Sequence, residues 1–248
     1  MRTGVIIVAG GAGHRAGGNL PKQFRLLGGE PVLARTINRF AEAMPGAEIV
    51  AVLPEEHIDF WKNLAARFEV ARHKVVAGGS ERFHSVRNGI EALRTYPELI
   101  AVQDGVRPLA STEMIRRVAE AASRNGAAIP VVEPVDSFRK VEGAASDTGT
   151  EARAPRSHIV DRRQLRIVQT PQIFRAEWLR EAYGLPYREE FTDDASVVEA
   201  AGHPVCLVAG ERENLKITTP GDFIVAKALL AAREEEAEER EAVNTPRP

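Results

Sequence analysis

Apolar runs alternating with amphipathic segments predict an α/β protein built on a doubly wound, mostly parallel sheet with a protruding β-arm. Three observations carry this. Short β-rich runs and helix-period segments take turns through the first half of the chain, the links between them are short, and the alternation stops abruptly near residue 136. Short strand–helix–strand links imply right-handed crossovers and a sheet covered on both faces. At 248 residues and 44% apolar, the chain can bury one large α/β core.

The elements follow in order. "GVIIVA" at 4–9 reads as a strand, and "PVLARTINRFAEAM" at 31–44 as a helix with Pro31 in its first turn and Val32, Leu33, Ile37 and Phe40 on one stripe. "EIVAVLP" at 48–54 is the next strand, followed by a helix at 56–68 and a strand at 73–79. A helix at 81–94, a strand at 99–105, a Ser/Thr-capped helix at 111–125 and a fifth strand at 127–135 complete the series. Residues 136–174 then alternate polar and apolar in two pieces, around Ser137–Val141 and Leu165–Gln169, separated by a Gly/Ala/Ser/Thr-rich stretch. This reads as a hairpin arm with a floppy tip. Helices at 176–183 and 193–202, a strand at 204–210 and a final helix at 219–242 return the chain to the core. Thr219 and Pro220 supply a cap and a first-turn proline. The expected division is 1–232 as one domain, including an arm at 136–170, and 233–248 as a charged helix end with a disordered tail.

The formal charge is −2, and the last sixteen residues hold six acidic and three basic side chains, which leaves residues 1–232 at +1. A near-neutral body argues against broad nucleic-acid or membrane binding. Cys206 is the only cysteine, so no intrachain disulfide forms and no Cys-rich metal site exists. The run Val5–Ala9 is shorter than the ~7–15 apolar residues of a signal peptide. No stretch approaches the ~20 apolar residues of a membrane span. The expectation is a cytoplasmic protein.

In an open parallel sheet, ligands sit beyond the carboxyl ends of the strands, near the point where strand order reverses. The loops there are unusual. Residues 10–22 carry Gly10, Gly11 and Gly13, a spacing of Gly11-x-Gly13-x-x-x-Gly17, then Arg15 and Lys22. Glycines let backbone N–H groups close on an anion, phosphate above all. A dinucleotide site wants a tighter spacing that runs straight into a helix, and a P-loop wants Gly-Lys-Ser/Thr. Two cations on a glycine loop suit a triphosphate instead. "AGGSERFHSVRNG" at 77–89 is a second glycine turn at a helix start, where Ser80 can cap, and Arg82 and Ser85 sit in the first turns. A ribose or base edge can dock there, and a plain cap is the equal alternative. "VQDGVRP" at 102–108 ends a strand on Asp104, placed either to hold Mg²⁺ against phosphates or to pair with Arg107. Lys216 alone reads as a surface lysine. Asp193 and Asp194 read first as helix caps and second as a metal pair. The histidines show no ligand spacing, and no Ser/His/Asp grouping marks a nucleophilic hydrolase.

Six segments in register, "VAGGAGHRAGGNLPKQFRLLGGEPVLARTI", "GGSERFHSVRNGI", "QDGVRP", "QTPQIF", "TDDASVVEAAG" and "NLKITTPGDF", resemble the 2-C-methyl-D-erythritol 4-phosphate cytidylyltransferases over residues 4 to 231. The resemblance implies a Rossmann-like nucleotidyltransferase fold and CMP transfer from CTP to the alcohol phosphate, with Mg²⁺ or another divalent cation. It implies Arg15, Lys22 and Lys216 as catalytic cations and Asp104 as the metal-side carboxylate. Ala9, Gly10, Gly11, Gly13, Gly79 and Ser85 fall at nucleotide-binding positions, and Arg107, Ser137 and Arg162 at substrate-binding ones. In the family the arm exchanges between two subunits, which implies a homodimer whose Ser137 and Arg162 reach the partner's site.

The chain also departs from the family pattern. Ala9-Gly10 stands where two alanines are usual, Gln103 where histidine is common, and Gly105-Val106 where small residues are. Ser80 replaces a frequent acidic residue and Ser137 a threonine. The Ala-Gly-Gly form and "PKQF" also resemble the ribitol 5-phosphate cytidylyltransferases, the alternative acceptor class. "SVRNGI" and "NLKITTPGDF" favour methylerythritol. A non-catalytic nucleotide-binding protein on the same fold would have lost the cations or the carboxylate, and Arg15, Lys22, Asp104 and Lys216 are all present.

Overall fold

A computed structural model describes residues 2–10, 20–142 and 156–244. β1 (Thr3–Val8) leads through a two-residue-strand hairpin, β2 (Leu26–Leu27) and β3 (Glu30–Pro31), into α1 (Val32–Ala43). Pro31 precedes this helix rather than opening it, because its ψ of 138° is extended. β4 (Glu48–Leu53), α2 (Ile58–Ala65), β5 (Lys74–Ala77), α3 (Arg82–Ala92), β6 (Leu99–Asp104), α4 (Thr112–Asn125) and β7 (Ala127–Val132) complete the alternating half. The cap expected of α4 forms, whereas Ser80 does not cap α3: Glu81 stands at that N-cap without a side-chain bond, and Ser80 Oγ lies 3.1 Å from His84 Nδ1. Ser111 Oγ accepts from the Met114 N–H at 2.9 Å. Gly126 ends α4 at φ +91°, and a Cβ there would fall 2.1 Å from the Trp178 ring, so both backbone and packing require glycine.

β1 pairs in parallel with β4 on one side and β6 on the other, and β5 extends the β4 side. Strand order therefore reverses between β1 and β6, and the loops after these two strands flank the switch point. Along β1, Val5 and Ile7 face α1 and α4, while Ile6 faces α3. This period of two is what a sheet buried on both faces requires. Fully buried Leu33, Ile37 and Phe40 on α1 lie on the stripe read from the sequence. Each contributes about 1.5–3 kcal/mol on burial.

The second half corrects the sequence reading of the arm. β8 (Phe138–Val141) pairs antiparallel with β9 (Ser157–Val160) and forms an exposed hairpin. The Leu165–Gln169 piece is not the hairpin's second strand. It carries β10 (Ile167–Val168), which pairs antiparallel with β7 in the main sheet. Nor does "QTPQIF" belong to the arm. β11 (Gln172–Arg175) lies between β6 and β7, antiparallel to both. The sheet is thus parallel on its first side and mixed on its second. α5 (Ala176–Ala182), α6 (Asp194–Ala200) and β12 (Cys206–Ala209), which joins β7 in parallel, lead to α7 (Pro220–Asn244). Thr219 Oγ1 accepts from the Asp222 N–H at 3.2 Å, and Asp222 Oδ2 accepts from the Thr219 N–H at 2.7 Å, a reciprocal cap. α7 packs Phe223, Ala226 and Leu230 against Leu27, Val32, Val106 and Leu109, and so covers the loop after β6.

Candidate active site

The two glycine turns converge on one hydroxyl. Buried Ser85, in the second turn of α3, accepts at Oγ from the Gly79 N–H at 3.1 Å and donates to the Glu81 carbonyl at 3.1 Å. A Cβ on Gly78 would lie 2.8 Å from that oxygen, and one on Gly10 would lie 3.9 Å from it. Side chains at these positions would fill the space between the loops after β1 and β5. Ala9 follows β1 with its N–H on the Val52 carbonyl at 2.9 Å and its own carbonyl accepting from Gln23 Nε2 at 3.0 Å. Gln23 is 1% exposed. It therefore anchors the 3₁₀ turn Lys22–Phe24 to the end of β1, which fixes the backbone of Lys22 near Ala9. Gly11, Gly13 and Arg15 lie outside the described residues.

Asp104 is the centre of the charged network. It ends β6, 7% exposed, with its N–H donating to Thr170 Oγ1 at 3.0 Å. Three cations surround its carboxylate: Lys216 Nζ at 3.0 Å and Arg107 Nε at 3.3 Å from Oδ2, and Arg82 Nη2 at 3.8 Å from Oδ1. Burial pushes the Asp104 carboxyl up, but Arg82, Lys216 and Arg107 together outweigh it and hold the pKa below the ordinary aspartate value. Arg82 also makes a two-pronged pair with fully buried Asp194, at 2.9 and 2.7 Å. The Tyr183 hydroxyl donates to Asp194 at 2.6 Å, and burial, reinforced by that carboxylate, drives its pKa well above the usual tyrosine value. Two carboxylates against three cations leave the cluster one positive charge, the sign a phosphate-bearing ligand needs.

Lys216 reaches this cluster because its segment is strapped to the loop after β6. The Ile217 N–H donates to the Val106 carbonyl at 2.9 Å, and buried Asn214 donates to the Thr170 carbonyl at 2.8 Å. Its side chain keeps 44% exposure, so the ammonium is the cation of the cluster most open to a ligand. Arg107 is more enclosed, with Nη1 on the Asn214 carbonyl at 2.7 Å. Its geometry matches the ion-pair reading of the Asp104–Arg107 spacing. Asp193 is a cap, as first read: Oδ1 accepts from the Ser196 N–H at 2.9 Å.

The structure brings together Ala9, Gly10, Gly79 and Ser85 on one side, and Asp104, Arg107 and Lys216 on the other. Ser137 and Arg162 stand apart on the exposed arm, where Arg162 donates to the Val135 carbonyl at the arm's base. Sequence reasoning passed over Arg82, Asp194 and Thr170 as members of the charged cluster. Arg82 and Asp194 are 112 positions apart, and no local spacing pairs them. The one available signal was an arginine in the first turn of a helix that follows a glycine pair. No group of three or more His, Cys, Asp or Glu among the described residues is placed to hold a metal by itself.

The sequence model of the 2-C-methyl-D-erythritol 4-phosphate cytidylyltransferases matches residues 3–232. The chain belongs to this family. A 2-C-methyl-D-erythritol 4-phosphate cytidylyltransferase of Bacteroides thetaiotaomicron is 48% identical over 231 residues, spanning 93% of this chain and 100% of the relative. The crystal structure of the 2-C-methyl-D-erythritol 4-phosphate cytidylyltransferase from Thermus thermophilus superposes with a TM-score of 0.71 at 34% identity, covering 92% of this chain and 98% of that one. The 4-diphosphocytidyl-2C-methyl-D-erythritol synthase of Anaerococcus prevotii gives 0.74 at 27% identity with the same coverage. The family match ends at residue 232, whereas α7 continues to Asn244.

Proposed function

We propose that the chain transfers the CMP moiety of CTP to 2-C-methyl-D-erythritol 4-phosphate, releasing pyrophosphate and forming 4-diphosphocytidyl-2-C-methyl-D-erythritol, a precursor in non-mevalonate isoprenoid synthesis. The observation that carries the reading is the net-positive cluster on Asp104 at the sheet's switch point, in a chain of this family. A phosphate oxygen of the acceptor attacks the α-phosphorus of CTP, and the bond from that phosphorus to the bridging oxygen of the β-phosphate breaks. Negative charge grows on the equatorial oxygens and on the departing pyrophosphate. Lys216, Lys22 and Arg15 stabilise that charge, so catalysis is positioning and electrostatics with no covalent intermediate.

The cytidine lies between the glycine turns, against Ala9, Gly10, Gly11, Gly13, Gly79 and Ser85. A divalent cation such as Mg²⁺ fits this donor set only as Mg²⁺ is ordinarily held, by one carboxylate with phosphate oxygens and water as the other ligands. Asp104 would be that carboxylate, and the ion would supply charge neutralisation on the triphosphate. Arg82 and Asp194 hold Asp104 in place. Arg107 completes the acceptor side.

The acceptor is gripped by Ser137 and Arg162 from the arm of a second copy. Exposed Val141 and Ile159, which the register puts on one face of that arm, are the apolar surface that a second copy would cover. No helix among the described residues is long and apolar enough to cross a membrane, and we place the enzyme in the cytoplasm. The test is pyrophosphate release with CTP, Mg²⁺ and either methylerythritol 4-phosphate or ribitol 5-phosphate. Turnover with the first is expected. Turnover with ribitol phosphate alone would overturn the acceptor, and none with either would overturn the reaction.

A further inference from the structure

α7 lies across the segments that carry the charged groups of the site. Its buried stripe, Phe223, Ala226 and Leu230, shares one apolar cluster with Leu27 of β2, with Val106 and Leu109 of the loop that leaves Asp104, and with Ile217 next to Lys216. The helix is firmly seated. The reciprocal cap between Thr219 and Asp222 fixes its first turn, and a Cβ on Gly28 would overlap Leu230. The Arg25 guanidinium, three residues after Lys22, lies 4.4 Å over the Phe223 ring.

Positions 223, 226 and 230 recur at the spacing of one helix face, and the next position on that face is 233. It holds an arginine in place of an apolar residue. Nε and Nη2 of Arg233 donate to one oxygen of Glu213 at 2.8 and 2.6 Å, and Nη1 donates to the Leu109 carbonyl at 2.8 Å. One planar guanidinium thus joins the segment of Lys216, three residues beyond Glu213, to the loop of Asp104, five residues before Leu109. A fork with fixed donor directions meets both partners, whereas an ammonium offers one compact charge. The ion pair is partly open to solvent, so its weight in stability is small. Its weight is in geometry. Arg233 is also the first residue beyond the span that the family model matches.

We propose that Arg233 is a positioning residue for Lys216, clamping residues 213–217 to the loop after β6 so that the ammonium stays at Asp104. The inference rests on the proposed role of Lys216 in CMP transfer. The segment is held on its sheet side by Asn214 on the Thr170 carbonyl and by Arg107 on the Asn214 carbonyl. Arg233 holds it from the helix. Releasing that hold lets the segment shift, and a displacement of about 1 Å can cost on the order of 10²-fold in rate. With the sheet-side bonds intact, the shift is smaller and the loss several-fold.

The experiment is a double-mutant cycle on pyrophosphate release from CTP, Mg²⁺ and methylerythritol 4-phosphate, using Arg233→Gln, Lys216→Ala and the two combined. Arg233→Gln should lower kcat by about five- to tenfold, with the KM for CTP and the melting point near wild type. In the Lys216→Ala background the same change should cost nothing further, because its effect runs through that ammonium. Losses that multiply in the cycle overturn the proposal, as does an unchanged kcat in Arg233→Gln. Full turnover in Lys216→Ala also overturns it, while CMP transfer by the wild type stands. Hydrogen exchange gives a readout apart from activity. The Ile217 N–H, which donates to the Val106 carbonyl, should exchange about tenfold faster in Arg233→Gln, and that of Ile6 in β1 should not change. Unchanged exchange at Ile217 overturns the clamp even in a protein that transfers no CMP. If Arg233→Gln does not fold, Arg233→Lys takes its place: it keeps the charge, cannot meet both partners, and should show an intermediate loss of kcat. Arg240→Gln, in an exposed pair with Glu236 on the same helix, is the control. An equal loss there would trace the effect to helix charge and overturn the clamp.

Discussion

The floor of the site and the arm hold the side chains proposed to act by opposite means. Asp104 is fixed by its strand, by Thr170 and by three cations, and Arg82 is fixed in turn by a carboxylate with no solvent exposure. Ser137 and Arg162 flank a two-stranded hairpin whose strand residues are exposed or half-exposed. An isolated hairpin is marginally stable in water. The floor is held by buried contacts, whereas the arm leaves its strand residues open to solvent.

Changes among the enclosed groups of the floor should therefore register in stability, changes at its half-exposed ammonium in turnover, and changes in the arm only in substrate handling. The largest effect is expected for Arg82→Ala. It leaves Asp194 buried without its cation and should cost about 3–5 kcal/mol in denaturant unfolding. A loss under about 1 kcal/mol would show that the floor is not braced through this pair. Lys216→Ala comes next. Its ammonium is half-exposed, so the melting point should hold while turnover falls by about 10²–10³. Near-wild-type turnover would remove Lys216 from the chemistry. Arg162→Ala should raise the acceptor KM by about tenfold, with the KM for CTP and the melting point unchanged. A change in melting point would make the arm part of the floor.

The smallest effect tests the reciprocal cap on α7. Burial would raise the Asp222 carboxyl, but hydrogen bonds from Thr218 and Thr219 outweigh it and bring the pKa to about 2 from 3.8. A lowered folded pKa means that the contribution is complete above about pH 4 and disappears as pH falls towards about 2. Asp222→Ala should cost about 1 kcal/mol at neutral pH, and the difference from wild type should vanish in acid. A difference that persists in strong acid would assign the cost to packing.

The same contrast explains what the sequence made legible. The alternating half was readable because each element announces itself within about a dozen residues, as Val5, Ile6 and Ile7 do for a strand buried on both faces. The caps at Ser111, Asp193 and Thr219 were readable for the same reason. β11 was not, because a four-residue strand after a proline carries little pattern, and its place was decided by the gap between β6 and β7. The hairpin's second strand was misplaced because Leu165–Gln169 alternates as well as Ser157–Val160 does. Pairing across the arm is a tertiary choice that alternation alone does not encode. At the site, Asp104 and Lys216 were legible through motif resemblance, whereas Arg82–Asp194 required the folded distance.

The placement of β11 has a consequence for synthesis of the chain. β6 carries Asp104, and one of its edges stays open until Gln172–Arg175 arrives to fill it. Translation at roughly 5–20 residues per second leaves that edge unpaired for on the order of several seconds. Unpaired strand edges invite association with other chains. The nascent protein is thus most exposed to misassembly after the alternating half is made and before the chain has returned from the arm. A ribosome-bound chain halted before Gln172 retains that open edge, and one extended past Lys216 holds every described member of the charged cluster.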